Sequence, residues 1–219
     1  FPELSNRETD TAAKVAEHLR ALGLEPRTGI AHHGVTAIIR GGKPGPKIAL
    51  RADMDALPVA EATGLDYAST ATGTDADGHT VPVMHACGHD LHVTWLAGAA
   101  TLLARNTDTW SGTLLVVFQP AEETAQGAQA MIDDGLFQRF PKPDVVLGQH
   151  VMVGPAGAVG GRTGVITSAA DSFEIRLFGR GAHGSMPQAS IVPALVLRNT
   201  SSSTNTGSAT TMAPATPTL

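Results

Sequence analysis

One cysteine, Cys87, stands in a chain of 219 residues, so no intrachain disulfide can form. Aromatic residues make up only 4% against 24 glycines, which fits a compact α/β enzyme with tight turns better than a β-sandwich. No apolar run approaches the roughly 18 residues of a membrane span. No stripe of lysine and arginine interrupts the mixed charges, whose sum is -5. Membrane and nucleic acid are therefore not expected partners. The first residue is Phe1 rather than Met, and nothing near it reads as a signal peptide. The chain is expected to be processed or incomplete at its start, and cytoplasmic, with the periplasm as the alternative. What the chain does have is 42% hydrophobic residues, enough for a real core.

The apolar spacing predicts an alternation of helices and strands. Ala12, Val15, Ala16, Leu19 and Leu22 recur at helical spacing over 8–22, and Gly23 stops the run. "VTAIIR" (35–40) and "KIALRAD" (47–53) read as strands, with "GGKPGP" (41–46) as the turn between them. A buried helix is expected over 90–104, a strand at "TLLVVF" (113–118), a short helix at 125–135 and a strand at "DVVLGQH" (144–150). Continuous apolar strands between helices argue for a parallel or mixed sheet covered on both faces. After about residue 165 the pattern changes. "SFEIRLFG" (172–179) alternates like a half-exposed strand and looks like the start of a second unit. From Thr200 to Leu219, 11 of 20 residues are Ser or Thr and none is charged, so 199–219 is expected to be a disordered tail. A reading-frame change would produce such a tail.

Chemistry gathers where the strands end. In open α/β sheets ligands bind beyond the carboxyl ends of the strands. The strand at 47–53 ends in "RADMD", the strand at 113–118 runs into "QPAEE", and the strand at 144–150 ends on His150. "HACGHDLH" (85–92) places Cys87, three histidines and Asp90 at the start of the helix over 90–104. Cys87 and His89 flank Gly88, so both can turn toward one point, and a helix N-terminus favours the thiolate that binds metal. In the adjacent pair Glu122 and Glu123, one carboxylate can bind a cation while the other stays free as a general base. Each residue also has a plain reading: a small buried thiol, an acidic helix start, a hydrogen-bonded histidine at a strand end. Their coincidence at one sheet edge carries more weight than any one of them. His85, Asp53 and Asp90 are candidates for orienting the ligating histidines. His18, His32, His33, His79 and His92 have weaker claims.

"ALRADMDALPV" (49–59), "MHACGHDLH" (84–92), "FQPAEE" (118–123), "GQH" (148–150) and "GRGAHGSMP" (179–187) follow one another at characteristic spacing. Together they resemble the M20 metallopeptidase-family amidohydrolases, in the branch of hippurate hydrolase, N-acyl-amino-acid amidohydrolases and indole-3-acetyl-amino-acid hydrolases. The resemblance runs from residue 1 to about 197. It implies a zinc-exopeptidase-like catalytic domain over 1–165, with a mixed, largely parallel sheet flanked by helices. It also implies the start of an α+β ferredoxin-like lid over 166–198. It implies two divalent metal ions per full-length subunit, with Cys87 as bridging ligand and His89, Glu123 and His150 as further ligands. Glu122 is then the general base, and Asp53 the acid behind a ligating histidine. His183, in "GAHGS", resembles the lid histidine that reaches the other subunit's active site and steadies the scissile carbonyl.

The implied reaction is hydrolysis of the amide bond of N-acyl amino acids, small molecules such as hippurate. Cysteine and histidine suit zinc, with manganese, cobalt and nickel left open. Full-length relatives form homodimers or tetramers. They also continue past this chain, completing the lid and supplying one last histidine ligand, and the first part of the family's opening helix is missing here. Two other readings stay open. One is a truncated, inactive fragment that at most binds metal. The other is a cysteine hydrolase using Cys87 with a nearby histidine, which a chelator would not inhibit.

Overall fold

The computed structural model describes residues 1–165. The expected lid segment (166–198), its His183 and the tail (199–219) lie outside the described residues. The chain divides into two units, Phe1–Val153 and Gly154–Leu219. Of the second, residues 154–165 form turns and bends with exposed side chains.

The first unit opens with α1 (Thr9–Ala21), which buries Ala12, Val15, Ala16 and Leu19. Its N-terminus is capped from upstream. Glu3 accepts the backbone N–H groups of Asp10 and Thr11 at 3.0 and 2.8 Å. Its C-terminus closes on Gly23 at φ 78°, whose N–H reaches the Arg20 carbonyl while that of Leu24 reaches Leu19. Then come β1 (Arg27–Ile30), β2 (Gly34–Arg40), β3 (Lys43–Asp53), β4 (Thr72–Thr74) and β5 (Thr80–Pro82). After them follow α2 (His89–Arg105), β6 (Ser111–Gln119), α3 (Gly127–Asp133), α4 (Leu136–Arg139) and β7 (Val145–Gly148).

Among the described residues a five-stranded sheet has the order β1-β2-β6-β3-β7. β6 pairs antiparallel with β2 and parallel with β3, and β3 pairs parallel with β7. β2 and β3, consecutive in the chain, are therefore not neighbours, because β6 lies between them. The expected turn at 41–46 shrinks, since β3 begins at Lys43 and pairs there with Ser111 before its register shifts. β4 and β5 form a separate two-stranded hairpin.

Alternation along β6 explains its unbroken apolar run. Leu114, Val116 and Phe118 face a core shared with α1 and α2, through Ala16, Leu19, Leu96 and Ala100. Leu115 and Val117 face the opposite core, shared with Met131, Leu136 and Phe140 of α3, α4 and the following turn. Among the described residues β7 is an edge strand, and its Val145, Val146 and Leu147 are exposed, where the apolar run at 144–150 predicts a buried strand. Among the described residues no helix is long and apolar enough to cross a membrane.

Candidate metal centre

The parallel strands deliver their carboxyl ends to one edge. Asp53 closes β3 opposite Gln119, the last residue of β6, and Gly148 closes β7 opposite Arg51. Past these ends lie Asp55, the pair Glu122–Glu123 and His150. Gly88, at φ 78°, turns the chain into α2, and a Cβ there would stand 2.4 Å from Val151 Cγ1. Only glycine fits a left-handed turn that close to another segment.

The side chains meet there. Cys87 Sγ lies 3.4 Å from His150 Nε2. His89, fully buried, holds its Nε2 3.7 Å from Glu123 Oε1 and 3.7 Å from Glu122 Oε2. Two groups, Cys87–His89–His150 and His89–Glu122–Glu123, each bring three ligand atoms within 4.8 Å of one another and share His89. The four residues expected as ligands and the expected base thus occupy one cluster.

Behind His89 stands Asp55, not Asp53. Asp55 Oδ1 is 3.3 Å from His89 Nδ1, while its Oδ2 accepts the Ser5 hydroxyl at 2.6 Å and the Glu123 N–H at 2.9 Å. Burial alone would push the Asp55 carboxyl up. The bonds from His89, Ser5 and the Glu123 and Glu122 backbone outweigh it and hold the group at about 2. Asp53 instead bonds His92 Nδ1 at 2.6 Å and Arg51 Nη1 at 2.6 Å. His92 Nε2 accepts the Val151 N–H at 2.9 Å. One ring nitrogen donates and the other accepts, so His92 ties the segment after β7 to α2. Its buried role was not visible in the sequence. Asp90 is exposed on the first turn of α2, where its charge suits the helix dipole. His18 lies on the surface of α1 with its Nε2 2.9 Å from Thr101 Oγ1. A further grouping of Asp75, Asp77 and His79 is a hairpin turn, in which Asp75 Oδ1 accepts the N–H groups of Asp77 and His79.

The donor set fits a divalent cation. Among the described residues His89 Nε2 and Glu123 Oε1 are buried without a hydrogen-bond partner, although buried polar atoms are nearly always paired. Asp55 occupies the other ring nitrogen of His89, the arrangement that leaves Nε2 free to ligate. Electrostatics point the same way. Burial pushes the Cys87 thiol up, and the charges of Glu123, Glu122 and Asp53 add to it, reaching about 11. The expected help from the helix N-terminus is outweighed by these carboxylates, so Cys87 is a poor nucleophile on its own. A cation would reverse that balance. Burial lowers the His89 pKa, but Asp55, Asp53 and Glu123 overcome it and raise the value above the ordinary one.

The loop after β6 is tightly folded. Ala121 and Ala125 adopt positive φ of 50° and 55°. A Cβ on Gly127 would stand 1.6 Å from the Pro120 carbonyl oxygen. Gly127→Ala is therefore expected to destabilise the fold by about 2–3 kcal/mol, since the contact is with rigid backbone. Urea unfolding would measure it, and an unchanged midpoint would show that the loop relaxes freely.

Comparison with known proteins gives this cluster its setting. Residues 49–216 match the description "Peptidase family M20/M25/M40". The chain is 44% identical over 200 residues to thermostable carboxypeptidase 1 of Saccharolobus solfataricus, covering 90% of this chain and 48% of that protein. It is 43% identical over 190 residues to hippurate hydrolase of Campylobacter jejuni, covering 85% and 46%. A solved Bacillus subtilis structure, described as a dinuclear metal-binding peptidase from the M20 family, superposes with a TM-score of 0.59 at 37% identity, over 68% of this chain and 38% of that one. The chain spans about half the length of the curated relatives it matches. With its strand-end cluster of thiol, imidazoles and paired glutamates and a match over most of its length, this chain belongs to peptidase family M20.

Proposed function

We propose that the cluster is a two-metal centre that hydrolyses the amide bond of N-acyl amino acids, hippurate-like molecules being the first to test. The observation that carries this reading is the pair of buried, partnerless ligand atoms, His89 Nε2 and Glu123 Oε1, beside the Cys87–His150 pair. Cys87, His89, Glu123 and His150 would hold the cations, His89 being the residue common to both ligand groups. A divalent cation bound there lowers the pKa of water and polarises the amide carbonyl. Zinc suits the thiolate and imidazoles, with manganese, cobalt and nickel as competitors. Glu122, whose side chain is 38% exposed, faces the solvent side of the cluster. It accepts the proton of the attacking water and returns it to the departing amine. His183 of the lid steadies the scissile carbonyl, from the partner subunit of a dimer. The name of hippurate hydrolase among the relatives supports an N-acyl amino acid as substrate.

The test is to load the 219-residue chain with zinc, manganese, cobalt or nickel, measure bound metal, and assay hippurate and several N-acetyl amino acids. Any turnover is expected to be abolished by a chelator. Turnover that survives the chelator would replace this reading with a cysteine hydrolase. Metal uptake without turnover is what an inactive fragment would give.

Binding should also release protons. The Cys87 thiol, at about 11, and His89, raised above its ordinary pKa, are both protonated more readily in the metal-free chain. The thiol must lose its proton to ligate, so cobalt affinity is expected to rise by about 10-fold per pH unit between pH 6 and 8. Competition titrations at several pH values would read this slope, and a flat profile would remove Cys87 from the ligand set.

A further inference from the structure

We infer that Glu8, far from the metal ligands in sequence, is a positioning residue that aims the Glu122–Glu123 pair by holding the backbone of Ala121. This rests on the metal-centre reading above. Glu8 occupies the N-cap position of α1 but makes no capping bond with its side chain. Glu3 has taken that task. The Glu8 carboxylate turns inward instead and is completely buried. Its Oε1 accepts the Ala121 N–H at 2.7 Å, across 113 residues of chain. Among the described residues its Oε2 has no partner within hydrogen-bond reach. A buried carboxylate is an expensive way to fill space, so its bond to the Ala121 N–H should matter.

What that bond holds is unusual. Ala121 sits at φ 50°, a left-handed conformation that alanine rarely adopts. Its own carbonyl accepts the N–H groups of Gln126 and Gly127 and the Thr124 hydroxyl. Ala121 is thus the knot of the loop, and the next two residues are Glu122 and Glu123. The neighbouring N-terminal residues brace the same loop. Asn6, itself at φ 62°, donates through Nδ2 to Gln126 Oε1 at 3.3 Å, and Ser5 reaches the Asp55 that holds the Glu123 N–H. Without an acceptor for its N–H, Ala121 has every reason to return to an ordinary conformation and swing both carboxylates away. Burial raises the Glu8 pKa, against the lowering effect of the Ala121 N–H.

The test compares Glu8→Ala and Glu8→Gln in the full chain. The Gln variant keeps an acceptor oxygen for Ala121 and the Ala variant does not. Circular dichroism confirms that the variants compared are folded; should Glu8→Ala not fold, Glu8→Leu, which fills the site without an acceptor, takes its place. Hydrogen exchange of the segment 120–127 is expected to quicken by about 100-fold in the variant without an acceptor and to stay near wild type in Glu8→Gln, with β6 unchanged in both. Cobalt affinity should fall by about 10-fold in the former and be restored in the latter. In active preparations kcat should fall by about 10²-fold with KM nearly unchanged, as expected when a reacting group is misplaced. Wild-type exchange and cobalt affinity in the variant without an acceptor would overturn the assignment, as would equal losses in Glu8→Gln. Neither readout needs turnover, so a chain that binds cobalt yet hydrolyses nothing would defeat the proposed reaction and leave Glu8 to be judged separately.

Discussion

Glu122→Gln is expected to lower kcat of the metal-loaded chain by about 10²-fold or more while bound metal stays unchanged. The amide copies the carboxylate in shape and cannot take a proton. Glu122 and Glu123 both approach His89 Nε2 at 3.7 Å, so distance does not separate their roles. Burial does. The Glu123 side chain is 20% exposed, with its Oε1 buried and unpaired, and its N–H is held by Asp55. Glu122 is the more open of the two and free to meet water. Metal analysis and kinetics on the same preparations would test the division. Loss of metal with a surviving rate would exchange the two roles.

Asp55→Ala should be the most damaging substitution for the metal-free fold, at about 3–5 kcal/mol. It strands three donors at once: the Ser5 hydroxyl, the His89 ring and the Glu123 N–H. The same group predicts a pH dependence. Its carboxyl drops from an ordinary 3.8 to about 2 on folding. The folded chain therefore binds that proton less readily than the unfolded one. The resulting stabilisation, about 2 kcal/mol, is complete above pH 4 and is lost as the pH falls toward 2. Urea unfolding of wild type and Asp55→Ala across that range would measure both effects. Equal stability of the two proteins at pH 7 would mean that the cluster is not held from Asp55.

The site was announced because Glu122, Glu123 and His150 follow recognisable apolar strands, while Cys87 and His89 open a recognisable helix. Cys87, His89, Glu122, Glu123 and His150 could be placed at one edge before any coordinates, and the M20 motifs named them. The sequence reading puts Asp53 where Asp55 stands, since residues two apart on an extended strand point the same way. Which of them meets His89 depends on the turn after β3. His92 and Glu8 were passed over for a related reason. Their importance lies in partners 39, 59 and 113 residues away, and nothing local marks them. The sheet order was hidden as well. An apolar strand tells which faces are covered, not which neighbour lies beside it. β1, β4 and β5 escaped because they are three or four residues long and largely exposed, too short for a period to register.

The central place of β6 has a consequence for how the chain comes into being. β2 and β3 are made early, yet each finds its long partner only when residues 111–119 arrive. Until then a nascent chain has α1, α2 and the small β1–β2 and β4–β5 pairs, with Val35, Ala37, Ile39 and Ala49 still lacking the strand that shelters them. Closing contacts across some 70 residues makes the search slow, and a strand with apolar residues on both faces is vulnerable while it waits. Folding of the unit Phe1–Val153 is therefore expected to be a late, collective event, completed around one strand rather than assembled from the N-terminus onward.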